Sequence, residues 1–150
     1  MGLLVKVDVV TEVTIAASVE AVSAYAADPT SAPEWYANIE SVEWVTTPPA
    51  VVGTQVAFVA RFLGRRLAYT YEIVEFVAGE RLVMRTAEGP FPMETTYTWS
   101  AIDDHSTRMT LRNRGEPAGF SKIMAPMMVP AMRRANRKDL DALRRILESS

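Results

Sequence analysis

The chain has 150 residues, 16 basic and 18 acidic, a formal net charge of −2, and 49% hydrophobic side chains. That is one domain's length, apolar enough to bury a core and too hydrophobic to stay disordered. The balance of charge supplies no field that would draw in nucleic acid, so nucleic-acid binding is disfavoured. Cysteine is absent and histidine occurs once. Disulfides, thiolate catalysis and cysteine-ligated metals are therefore excluded. The lone His105 sits in Asp103-Asp104-His105-Ser106, which reads as a hairpin turn and supports neither a triad nor a multi-histidine metal site.

The N-terminal Met1-Gly2-Leu3-Leu4-Val5-Lys6-Val7-Asp8 lacks a basic stretch followed by a long apolar one, so no secretory signal is read. No apolar run approaches the roughly 20 residues of a membrane span. A cytoplasmic location is the expectation. The sequence carries no signal for an oligomeric state.

Residues 4–15 are rich in valine, threonine and isoleucine and read as a strand. Ser18 is placed to cap a short helix from Val19 to Ala27, with Glu20 in its first turn. Asp28-Pro29 ends it, and Pro29 to Tyr36 forms a second short helix or a pair of turns, with Asp28 or Thr30 as a cap.

Ile39 to Thr47 reads as the second strand, closed by Pro48-Pro49. Thr54 to Phe62 is the third, with Val56, Phe58, Ala60 and Phe62 on one face. After a Leu63-Gly64-Arg65 turn comes a fourth, Arg66 to Val77, with Tyr69, Tyr71 and Ile73 on one side. The fifth, Arg81 to Glu88, carries Leu82, Met84 and Thr86.

Gly89-Pro90-Phe91-Pro92 interrupts the sheet before Met93, Thr95, Tyr97 and Trp99 alternate along a sixth strand. Met109, Leu111 and Asn113 alternate along a seventh. Short links imply antiparallel neighbours.

The last third of the chain has a helical period. Phe120, Ile123, Met124, Met127, Met128, Ala131, Met132 and Ala135 form one stripe, resumed by Ala142, Leu143, Ile146 and Leu147. Pro126 and Pro130 fall inside it. Because the apolar phase is kept across both, a kinked continuous helix is expected; the alternative is a short helix over 119–128 with Pro130 opening the main one.

The order of strand, two short helices, six strands and long helix is a helix-grip arrangement. The residues also resemble a known family. Val52-Gly53-Thr54, Phe62-Leu63-Gly64-Arg65-Arg66-Leu67, Tyr71-Glu72-Ile73-Val74-Glu75 and Glu80-Arg81-Leu82-Val83 carry the resemblance, with Gly89-Pro90-Phe91-Pro92, Ser106-Thr107-Arg108-Met109-Thr110-Leu111 and Asp139-Leu140-Asp141-Ala142-Leu143. Together they resemble polyketide cyclase/dehydrase-like members of the START-related (SRPBCC) superfamily over about residues 7–148.

The resemblance implies an α+β fold in which a curved seven-stranded antiparallel sheet wraps a long C-terminal helix, with two short helices after the first strand. It implies a hydrophobic small molecule, aromatic, polyketide-like or lipid-like, held between sheet and helix. Members include aromatic polyketide cyclases, lipid carriers and plant hormone receptors, and no catalytic residue is carried over from them. Binding or transport is ranked first, a cyclase/dehydrase-type enzyme second, and a regulatory module for a protein partner third.

On the faces read as inward, Tyr69, Tyr71, Tyr97 and Trp99 offer apolar bodies with polar ends, suited to a ring system bearing a few oxygens. Met84, Met93, Met109, Met124, Met127, Met128 and Met132 supply deformable wall, although filling a core explains each singly. Trp35 and Tyr36 are candidates for the mouth, with helix-to-sheet packing the competing role for Trp35. Thr95, Asn113, Thr86 and Glu88 are the polar groups on inward faces. Glu88, near a strand end, is a weak candidate for a general base, against exposure or pairing with Arg85 or Arg112.

Arg133, Arg134, Arg137, Lys138, Arg144 and Arg145 read as a solvated face offset by Asp139, Asp141 and Glu148; transient contact with an anionic membrane surface is the other reading. No glycine-rich link runs from strand to helix and no carboxylates have ligand spacing, so no cofactor and no metal are expected.

Overall fold

The computed structural model describes residues 6–116 and 125–149. The first strand, β1, is Val7–Ile15, in which Val7, Val9, Thr11 and Ile15 are buried, Val13 packs partly buried against the core, and the residues alternating with them are exposed. Ser18, in extended backbone, accepts a hydrogen bond from the Ala21 N–H at 3.2 Å and opens α1, Val19–Ala27. The Asp28 carboxylate accepts from the Thr30 N–H at 2.9 Å and caps a 3₁₀ turn, Pro29–Ser31. A single α-helical turn, Ala32–Trp35, follows as α2.

Six strands come next: β2 Ile39–Trp44, β3 Gln55–Phe62, β4 Arg65–Val77, β5 Arg81–Glu88, β6 Met93–Asp103 and β7 Ser106–Gly115. With β1 they form one antiparallel seven-stranded sheet in the order β1-β7-β6-β5-β4-β3-β2. The second strand stops at Trp44, short of the expected Thr47. Leu63 and Gly64 close the β3–β4 hairpin with φ of 50° and 75°, the left-handed pair that matches the twist of the flanking strands.

Register slips curl the sheet. They insert an extra residue on β2 between Ile39 and Ser41, on β5 between Thr86 and Glu88, and on β4 between Ile73 and Glu75, with a further slip on β6 between Ala101 and Asp103. Each slip adds local bend and twist. The concave side receives α3, Ala125–Glu148. This helix is continuous through Pro130, so the alternative in which Pro130 starts a separate helix is corrected. Pro126 is the second described residue of this helix. Residues 119–124 of the expected helix, with Met124, lie outside the described residues.

The concave face is divided along its length. At one end Ile15, Val22, Trp99, Met109, Leu140 and Leu143 are all buried and packed together, so helix and sheet meet as solid core. Toward the other end the facing residues diverge and leave a space.

Candidate functional site

That space is a cavity of about 180 Å³. One water needs about 10–15 Å³ on this scale, so it holds on the order of ten waters, or one compact multi-ring molecule. The sheet contributes Phe58, Tyr69, Tyr71, Met84, Thr95 and Tyr97, and α3 contributes Met128, Met132, Ala135, Asn136 and Asp139. Arg61 also borders it, but its side chain is 61% exposed and paired with Glu40, which puts it where the cavity opens. Gly89 is needed beside this wall: a Cβ there would lie 2.9 Å from Tyr69 Cβ.

The wall is mostly aromatic and aliphatic. Phe58 and Tyr69 stack with ring centroids 5.5 Å apart, and Tyr69 and Tyr71 lie 4.9 Å apart. Three polar groupings interrupt it. On the sheet, Thr95 donates to Asn113 Oδ1 at 2.7 Å; its single proton being used, it accepts from the Tyr71 hydroxyl at 3.0 Å. Between α2 and the sheet, the Tyr36 and Tyr97 hydroxyls lie 2.6 Å apart.

Burial pushes the Tyr36, Tyr69 and Tyr97 hydroxyls well above the usual tyrosine range, and Tyr71 up to about 12. All four are neutral donors across the physiological range.

The third polar grouping belongs to α3. Asp139 is 3% exposed, lines the cavity, and accepts the Ala37 N–H at 3.1 Å through Oδ1. Burial pushes its carboxyl up to about 6, against the Ala37 bond and the nearby Lys138 ammonium, which favour the charged form. One turn earlier, Asn136 is 5% exposed, and its Nδ2 has no hydrogen-bond partner among the described residues. Neither residue was singled out from sequence as a site candidate. The expectation that Asp139 is a solvated counter-charge is corrected: steps of three and four from Met132 put it on the buried face. Following the helical stripe through polar positions was the available signal.

The other candidates separate by position. Tyr69, Tyr71, Met84, Met93, Thr95, Tyr97, Asn113, Met128 and Met132 all border the cavity. Trp99 and Met109 do not; they face inward at the solid end, where Leu140 and Leu143 leave no room. Trp35 is 2% exposed and lies behind the wall, its ring 4.1 Å from Tyr36 and 5.8 Å from Tyr97. Met127, 56% exposed, is one helical step out of phase with Met128 and faces solvent.

Glu88 is exposed as well. Thr86 opposes Tyr71 but Glu88 opposes Thr70, so one extra residue, Ala87, turns Glu88 to the outer face. It is withdrawn as a general base.

Of the basic residues, Arg144 and Arg145 both pair with Asp141, whereas Arg133, Arg134, Arg137 and Lys138 make no ion pair among the described residues. No helix among the described residues is long and apolar enough to cross a membrane.

A family profile described as polyketide cyclase/dehydrase and lipid transport matches residues 6–148. The chain belongs to that family. Solved structures agree on the fold of this polyketide cyclase/dehydrase and lipid transport relative. A protein of Thermus thermophilus is 22% identical, with a TM-score of 0.81 over 95% of this chain and 98% of its own. A START superfamily protein from Mycobacterium smegmatis is 15% identical, with a TM-score of 0.78 over 95% and 97%. The Zhui aromatase/cyclase from Streptomyces sp. R1128 is 18% identical, with a TM-score of 0.79 over 95% and 94%. None of the curated proteins matches this sequence.

Proposed function

We propose that the protein binds a hydrophobic, ring-bearing small molecule between its sheet and α3. The observation that carries this is the cavity itself: about 180 Å³ of space walled by Phe58, Tyr69, Tyr71, Met84, Met128 and Met132. Packed interiors leave few voids larger than a water, so a space of this size on the axis of the fold is a feature to be used. Methionine on both walls lets the outline adjust to its occupant. Native mass spectrometry of the purified protein tests the reading. A co-purifying species removed by denaturation, or saturable uptake of naphthalene as an apolar probe, is expected; absence of both would refute it.

A second reading is enzymatic, of the cyclase/dehydrase type. The polar cluster supports it: a carboxyl whose proton comes off near neutrality borders the same space as the Tyr36–Tyr97 hydroxyl pair. Conversion of a bound polycarbonyl chain, lost in Asp139→Asn with binding retained, would favour this reading over simple carriage. The partner-module reading called for a small or filled interior, and the cavity counts against it. Transient contact with an anionic membrane rests on Arg133, Arg134, Arg137 and Lys138.

A further inference from the structure

Asn136 and Asp139 are three residues apart on one helix face, both nine-tenths or more buried, and both border the cavity. Asn136 Nδ2 is a donor with no acceptor among the described residues. Asp139 has one oxygen engaged by the Ala37 N–H, and among the described residues its other oxygen accepts no hydrogen bond. A buried donor with no partner and a carboxylate with one oxygen to spare thus stand side by side on the cavity wall. An orphaned buried donor such as Asn136 Nδ2 is rare and calls for a ligand or a bound water.

The charges around the pair narrow what that ligand can be. The other ionisable groups bordering the cavity are Asp28, Tyr36, Arg61, Tyr69, Tyr71 and Tyr97. Arg61 is the one cation among the described lining residues, and it is mostly exposed and neutralised by Glu40. Lys138, beside Asp139 in sequence, is itself exposed and does not line the space. A carboxylate brought into the chamber would find a buried carboxyl and no free positive charge, and desolvating an unpaired anion is strongly unfavourable.

We propose that Asn136 and Asp139 form a donor–acceptor clamp for a neutral polar group. That group carries an oxygen acceptor next to an O–H or N–H donor, as in a carboxamide, a hydroxyketone or an enol, and the clamp rejects carboxylates of the same shape. Nδ2 of Asn136 donates to the ligand oxygen and Asp139 accepts from the ligand's adjacent donor. The occupant is then a neutral ring compound with paired oxygen or nitrogen functions, not a free fatty acid. This inference rests on the cavity-binding reading and specifies the chemistry of that same site.

The test uses 2-naphthamide and 2-naphthoate, equal in size and shape and differing in charge, with naphthalene as the reference, by equilibrium dialysis against the full chain at about pH 8. Wild type is expected to bind naphthamide at least about tenfold tighter than naphthoate, and tighter than naphthalene. In Asp139→Asn the naphthoate affinity rises and the gap narrows to about threefold or less. Asn136→Ala weakens naphthamide and leaves naphthalene unchanged. As a further check, lowering the pH of wild type to about 5 tightens naphthoate, and Asp139→Asn does not follow.

Equal binding of naphthamide and naphthoate by wild type overturns the clamp while the cavity reading stands. So does an equal shift of both probes in Asp139→Asn. If naphthalene, naphthamide and naphthoate all fail to bind, the cavity reading fails and the clamp falls with it.

Discussion

Replacing Asp139 with asparagine should stabilise the protein in a pH-dependent way. Asparagine keeps the oxygen that accepts the Ala37 N–H and removes the charge that burial disfavours. The carboxyl is raised from 3.8 to about 6 in the folded chain. A difference of about 2 units, at about 1.4 kcal/mol each, is up to about 3 kcal/mol.

The direction follows from which form the folded state prefers. Below about pH 4 the carboxyl is protonated in both folded and unfolded chains, and wild type carries no penalty. As pH rises through about 6 the folded state must hold a buried charge, and wild-type stability falls relative to the variant. Urea unfolding at about pH 4, 6 and 8 should show an advantage for Asp139→Asn that is near zero at the lowest pH. It should reach up to about 3 kcal/mol at the highest, a rise in melting temperature on the order of 10 °C. An advantage independent of pH would mean that packing, not charge, is responsible. A variant less stable than wild type at about pH 8 would refute the reasoning outright.

Tyr97→Phe leaves the buried Tyr36 hydroxyl without its partner and should cost about 1–3 kcal/mol in urea unfolding, with much of the loss recovered when Tyr36→Phe is added; additive losses would show that the two hydroxyls act independently. Met109→Ala, at the solid end, should cost about 2–5 kcal/mol and leave naphthalene binding within about twofold, whereas a large binding loss would place Met109 in the wall after all. Ala60→Phe fills space beside Phe58 and Leu67 and should weaken naphthalene uptake by about tenfold or more, for an overpacking penalty of about 1–3 kcal/mol; unchanged uptake would place the probe elsewhere. If the basic side of α3 touches membranes, sedimentation with phosphatidylserine vesicles should fall with added salt and with a combined Arg133→Glu, Arg134→Glu, Arg137→Glu variant, and indifference to anionic lipid would remove that role.

Side-chain alternation revealed which face of each strand looks inward. Met93, Thr95, Tyr97 and Trp99 do share one side of β6, as Leu82, Met84 and Thr86 share one side of β5. Alternation says nothing about depth along the strand, and so Trp99 and Met109 could not be told from Tyr97 and Met93. Their fates are set by α3, whose leucines Leu140 and Leu143 fill one end while Ala135 and Asn136 leave the other open. Parity also fails at a bulge: Glu88 has the spacing of an inward residue, and Ala87 turns it out.

On the helix, composition misled in the other direction. Met127 belongs to an apolar run yet lies off the buried stripe. Asp139 sits in a run of charges yet lies on it. Phase around the helix decided both, while residue type suggested the opposite.

The sheet never closes on itself: β1 and β2 are its two free margins, and the gap between them is bridged by α3, packed on β1, and α2, packed on β2 and on α3. In a sealed barrel, changing the bore means unzipping strands or shifting their stagger. Here the seam is made of side-chain packing and a few bonds from side chain to backbone, such as Asp139 to the Ala37 N–H, so no strand-to-strand rung would have to break for its width to change. A shift of the helical cover would thus alter the width of the chamber while the ladder beneath keeps its stagger.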